Sequence, residues 1–82
     1  MSTQTISIEE GFGIVLKKFR GWHTLTQAEL SETSGLSIEV ISKYERGVNQ
    51  PSVKSLLLLA KGLSIEPEQM ITELKKLNLK IQ

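Results

Sequence analysis

The chain has 82 residues, 39% of them apolar and 23% charged, with no cysteine and a formal charge of only +1. That length holds one domain with a small core, and that composition suits a soluble globular fold rather than a disordered one. Without cysteine there are no disulfides or thiolate metal ligands, and the longest apolar run, Leu56–Ala60, is far too short to cross a bilayer.

Residues 1–6 are expected to be flexible, and MSTQTISIEE lacks the basic and apolar regions of a secretory signal. Ser7 and Glu10 spell a capping box. Phe12, Val15, Leu16 and Phe19 follow at helical spacing, which predicts a first helix ending near Arg20–Trp22. Lys17, Lys18 and Arg20 suit the negative end of its dipole. Gly13 and Gly21 each cost it about 1 kcal/mol against Ala, so packing must hold it. Trp22 is expected as a half-buried cap on the core.

After the link His23–Leu25, Thr26 and Glu29 repeat the capping box and predict a second helix, Gln27–Ser34, with Ala28 and Leu30 inward. Gly35 can end it at positive φ. Leu36 plugs the turn and Ser37 caps a third helix, Ile38–Arg46, stopped by Gly47. Asn49–Pro51 reads as a loop, and Ser52 caps a fourth helix, Val53–Lys61, ended by Gly62. Glu66, Pro67 and Glu68 open a fifth that runs to about Leu77. Leu77, Leu79 and Ile81 alternate, but a frayed helix end is favoured there over a short strand.

Two helices of eight or nine residues around a Gly-containing turn form the helix-turn-helix pattern, whose second helix enters the major groove. Ile41 and Tyr44 have the spacing for burial, which turns residues 38, 39, 42, 43 and 46 outward. Thr26-Gln27, Glu29-Leu30, Gly35-Leu36-Ser37, Ile41-Ser42, Tyr44-Glu45-Arg46-Gly47 and Pro51-Ser52 together resemble the Cro/repressor-type family, also called xenobiotic-response-element or lambda-repressor-like. The similarity runs from about Phe12 to Leu63.

The resemblance implies an all-α, compact five-helix lambda-repressor-like domain of a prokaryotic or phage-encoded, cytoplasmic protein. It further implies binding to a double-stranded DNA operator as a homodimer, and association with the nucleoid when bound. Residues 7–65 would form the DNA-binding unit, and 66–82 a C-terminal helix that closes the core and supplies the dimer interface. Carried over by position, Gln27 contacts a phosphate and braces the recognition helix. Ser37, Ile38, Glu39 and Lys43 reach bases or nearby phosphates, while Arg46, Asn49 and Gln50 contact the backbone. Arg20 and Glu45 match a pair that ties the first helix to the end of the third. Ile38, Glu39 and Val40 depart from the Gln, Arg, Thr or Asn frequent at such positions, and Ser37–Gln50 is neutral, with two acids and two bases.

No catalytic or metal-ligating constellation accompanies the motif. His23 is the single histidine and reads as a loop residue. Glu9-Glu10 is explained by its place at a helix N-terminus, and Ser31, Ser34, Ser42 and Ser55 have no base or oxyanion partner nearby. No enzyme activity, metal or cofactor is expected. Leu57 and Leu58 exceed what the fourth helix needs for its core. Met70, Leu74, Leu77 and Ile81 form a stripe that serves partly the core and partly a two-fold interface. The leading reading is a transcriptional regulator of repressor or controller type; phage repressors, restriction-modification controllers and antitoxins all fit. The alternative is a protein-interaction module, such as an antitoxin or a regulator's partner, with weakened DNA reading. Under either, a regulatory protein partner is compatible.

Overall fold

The first four of the five helices begin where a side chain accepts from one of their first free N–H groups, as the computed structural model, which describes residues 4–81, makes plain. The elements are α1 (Ile8–Trp22), α2 (Gln27–Ser34), α3 (Ile38–Glu45), α4 (Val53–Gly62) and α5 (Pro67–Lys75). The expected capping boxes are both formed. Glu10 N donates to Ser7 Oγ at 3.0 Å and Glu29 N to Thr26 Oγ1 at 3.0 Å, with the glutamates reaching back to the cap N–H groups. Ser37 Oγ accepts from Val40 N, and Ser52 Oγ from Ser55 N, both at 3.1 Å.

The helix ends follow a rule the sequence shows less clearly. α1, α3 and α4 all close by the same paired hydrogen bonds, with one left-handed residue two positions past the last helical one. These are Leu25 N to Arg20 O with Thr24 N to Gly21 O, Val48 N to Lys43 O with Gly47 N to Tyr44 O, and Ile65 N to Ala60 O with Ser64 N to Lys61 O. The left-handed residues are Thr24 (φ 52°), Gly47 (φ 75°) and Ser64 (φ 57°). Gly62, expected just beyond α4, is instead its last helical residue, and Ser64 takes the left-handed turn. A Cβ on Gly62 would sit 2.9 Å from Ser34 N, so its lack of a side chain serves contact with α2.

The main helix contacts run in a closed ring, α1 to α3 to α2 to α4 to α5 and back to α1. Phe12, Val15, Leu16 and Phe19 of α1 fill its centre, together with Leu30, Ile41, Tyr44, Leu59, Ala60, Leu63 and Met70. Phe12 meets the Tyr44 ring edge-on at 5.9 Å. Ala28, expected inward, is exposed, because the turn of α2 leaves only Leu30 and Ser34 buried.

Both chain ends differ from expectation. α5 stops at Lys75, and Leu79 forms an isolated parallel bridge with Ile6 rather than continuing a frayed helix. Ile6 N donates to Asn78 O at 3.0 Å and Lys80 N to Ile6 O at 2.8 Å, so the described part of the supposedly loose N-terminus, residues 4–6, is tied down at Ile6. The rest of that segment lies outside the described residues. Leu79 covers Gly11, where a Cβ would approach its Cδ2 to 2.6 Å.

Candidate nucleic-acid interface

The Glu45 carboxylate, at the end of α3, is the point where α1, α2 and α3 are fastened together. Arg20 Nε donates to Oε2 at 2.6 Å and Nη2 to Oε1 at 3.0 Å, a two-pronged charge-assisted pair. Arg20 Nη1 donates to Leu25 O at 2.8 Å, which fixes the α1–α2 link to the same guanidinium. Gln27 Nε2 completes the cluster with a 3.0 Å bond to Glu45 Oε1. The Glu45 side chain is only 4% exposed and that of Arg20 23%. Hydrogen bonding to Glu45 raises the Arg20 pKa, against the opposing effect of burial, so this cation keeps its charge at any working pH. Arg20 and Glu45 are thus joined as an ion pair, and Gln27 links α2 to the same carboxylate.

The approach of α1 to this corner depends on Gly13. A Cβ there would lie 2.6 Å from Tyr44 O and 2.8 Å from Glu45 O. The turn between α2 and α3 is held by serines with no role assigned from sequence. Ser31 Oγ donates to Leu36 O at 2.6 Å, and Leu36 N donates to Ser34 Oγ at 3.2 Å. A short polar side chain near a tight turn was the available signal.

This frame leaves one side of α3 open. Ile38 is 47% exposed, and Ser37, Glu39 and Arg46 are also exposed. Ser42 and Lys43 are half-buried, while Val40 packs partly against the core. Arg46 Nε donates to Ser42 Oγ at 3.3 Å. Asn49 and Gln50 are exposed in the following loop. Gln50 also lines a shallow depression with Ser7, Ile8, Glu9 and Lys80.

The residues expected at a dimer interface separate into three groups. Met70 is 1% exposed and belongs to the protein's own core, which corrects its assignment to an interface. Leu58, Leu74 and Leu77 are half-buried, the last two packed against that core. Leu57 and Ile81 stand out at 50% and 70% exposure, and Ile71, at 40%, joins them. An apolar groove lies between α1, α4 and α5, lined by Phe12, Pro51, Leu56, Ile71 and Leu74 among others. Trp22 is 61% exposed, not half-buried, with its ring edge-on to Phe19 and Lys18 Nζ 5.6 Å from its centre. Among the described residues no group of His, Asp or Glu could hold a metal, and no helix is long and apolar enough to cross a membrane.

A helix-turn-helix family model matches residues 16–70. The chain belongs to the Cro/repressor-type helix-turn-helix family. By class, members of this family are all-α, DNA-binding transcription regulators. The HTH-type transcriptional regulator y4wC of Sinorhizobium fredii is 30% identical over 61 residues, which is 74% of this chain but 43% of y4wC. The chain thus spans less than half the length of that relative. The HTH-type transcriptional regulator MJ0272 of Methanocaldococcus jannaschii is 34% identical over 55 residues, covering 67% of this chain and 83% of its own. Among solved structures, the restriction-modification controller protein C.Esp1396I superposes with a TM-score of 0.78 at 32% identity, over 84% of this chain and 91% of that one. The controller protein C.AhdI of Aeromonas hydrophila gives 0.73 at 34% identity, over 76% and 94% of the two chains.

Proposed function

We propose that this family member binds a pseudo-palindromic operator as a homodimer, with α3 lying in the major groove. The observation that carries the reading is the Glu45 cluster, which fastens the C-terminal end of α3 to α1 and α2 while Ile38, Glu39 and Arg46 remain outside. In that pose Lys43 donates to a guanine edge, Glu39 accepts from cytosine N4 and Ile38 touches a thymine methyl. Gln27, at the N-terminus of α2, is directed to a phosphate, where free backbone N–H groups add to the attraction. Ser37, Asn49 and Gln50, all exposed, are assigned to the DNA backbone or bases nearby.

A neutral reading face favours a dimer, since a second copy doubles every contact. Half-sites would then lie one helical turn, about 34 Å, apart. Leu57 and Ile71, with the groove beside them, supply an apolar surface for the mate. Likeness to restriction-modification controllers supports a controller-type regulator whose occupancy follows its own concentration. A salt-dependent gel shift on the DNA upstream of its coding sequence tests the reading. Site-selective binding that weakens steeply with salt is expected, and no selective binding at low salt on any fragment overturns it.

The neutral face also supports a second reading, a protein-interaction module that keeps the fold. If Gln27→Ala with Lys43→Ala leaves function intact while Leu57→Glu abolishes it, that reading prevails.

A further inference from the structure

Position along the motif assigns Arg46 to the DNA backbone, but its geometry argues for a different task. Arg46 caps α3 with near-helical backbone angles, φ −84° and ψ 0°, and Gly47 turns the chain away immediately after it. A side chain leaving a helical residue leans toward the helix N-terminus. That of Arg46 does so, since its Nε donates to Ser42 Oγ one turn earlier. Ser42 is short, and it shares a row with Glu39 and Arg46 on the open side of α3. The long guanidinium stem therefore lies along the reading face instead of reaching off its end. Among the described residues the ion pairs are Lys18–Glu73, Arg20–Glu45 and Lys76–Glu73, and none engages Arg46.

We infer that Arg46 is a base-reading residue for guanine and that Ser42 is its positioning residue. With Nε held by Ser42, the two terminal nitrogens remain to donate side by side to guanine O6 and N7, a contact that the planar guanidinium fork holds more rigidly than a flexible lysine ammonium does. The inference rests on α3 entering the major groove. It gives the neutral face a second base-directed cation besides Lys43, and it places a G·C pair opposite the C-terminal half of the helix.

Selection of binding sites from random DNA, run on the wild type and on Arg46→Ala, Arg46→Lys and Ser42→Ala, tests it. The wild type is expected to select a guanine at one half-site position. Arg46→Ala should erase that preference, a loss of roughly tenfold to hundredfold discrimination, while the other positions stay unchanged. Arg46→Lys should keep the salt dependence yet weaken the guanine preference. Ser42→Ala should weaken the preference at that same position without moving the melting temperature. If Arg46→Ala instead weakens all sequences alike and lowers the salt slope by about one, Arg46 is a phosphate contact and the inference fails, though the operator reading stands. Failure of the wild type to select any site overturns both.

Discussion

Gln27 Nε2 and Arg20 Nη2 donate to the same oxygen of Glu45, each at 3.0 Å. A glutamine proposed to touch DNA is thus also part of the joint that holds the recognition helix. Gln27→Ala should therefore cost stability as well as affinity, about 1–3 kcal/mol for a hydrogen bond to a charged group. Glu45→Ala should cost more, about 3–5 kcal/mol, because it strands the partly buried Arg20 cation. Urea unfolding measures both, and equal small losses would mean that water replaces the carboxylate readily.

Gly13 and Gly21 lie in the same helix yet should respond oppositely to Ala. At Gly21 nothing stands within 4 Å of a new Cβ, so Gly21→Ala should stabilise by up to about 1 kcal/mol through helix propensity. At Gly13 two carbonyl oxygens of α3 lie under 3.0 Å away. Gly13→Ala should force α1 from α3 and lower the unfolding midpoint despite the same propensity gain.

Thr24 and Ser64 hold left-handed conformations that side-chain-bearing residues adopt at a cost of about 1–2 kcal/mol. Ser64→Gly should raise stability by about 1 kcal/mol. Thr24→Gly should gain less, since it also loses the Oγ1 bond to His23 O at 2.7 Å. Thermal melting of the two variants gives the order.

Leu57→Glu and Met70→Ala should separate the outer surface from the core. Loss of Met70, which is buried, should cost about 2–5 kcal/mol. Leu57→Glu should change monomer stability by less than about 0.5 kcal/mol while weakening self-association. Sedimentation over a concentration series reads the second effect, and an unchanged association constant would remove Leu57 from the interface.

Glu73 accepts from Lys76 Nζ at 2.8 Å and lies 3.6 Å from Lys18 of α1. The Lys76 hydrogen bond leads the causes that lower its pKa. A lowered folded pKa gives stability that is present above the unfolded carboxylate range and lost as pH falls through the folded value. Glu73→Gln should therefore match the wild type in strong acid and fall slightly below it near neutrality, as pH-dependent melting would show.

Helix starts were legible because a cap is a local event: Ser7 with Glu10 and Thr26 with Glu29 carry their partners three residues away. Helix ends were less so, since Thr24 and Ser64 bear no mark of the positive φ that packing imposes on them. Resemblance, not spacing, singled out Arg20 and Glu45, and nothing local to Gly13 announces carbonyl oxygens more than thirty residues further on. The stripe from Met70 to Ile81 has the right period for burial, but period alone does not say where the core is already full. The ring of helices closes over Met70 and leaves Ile81 outside.

The bridge between Ile6 and Leu79 brings the two ends of the domain to a single point beside α1. A short linker joining the chain at these two residues would close the helices between them into a circle. New ends could then be opened in an exposed link such as His23–Thr24, where an altered chain order would retain every helix.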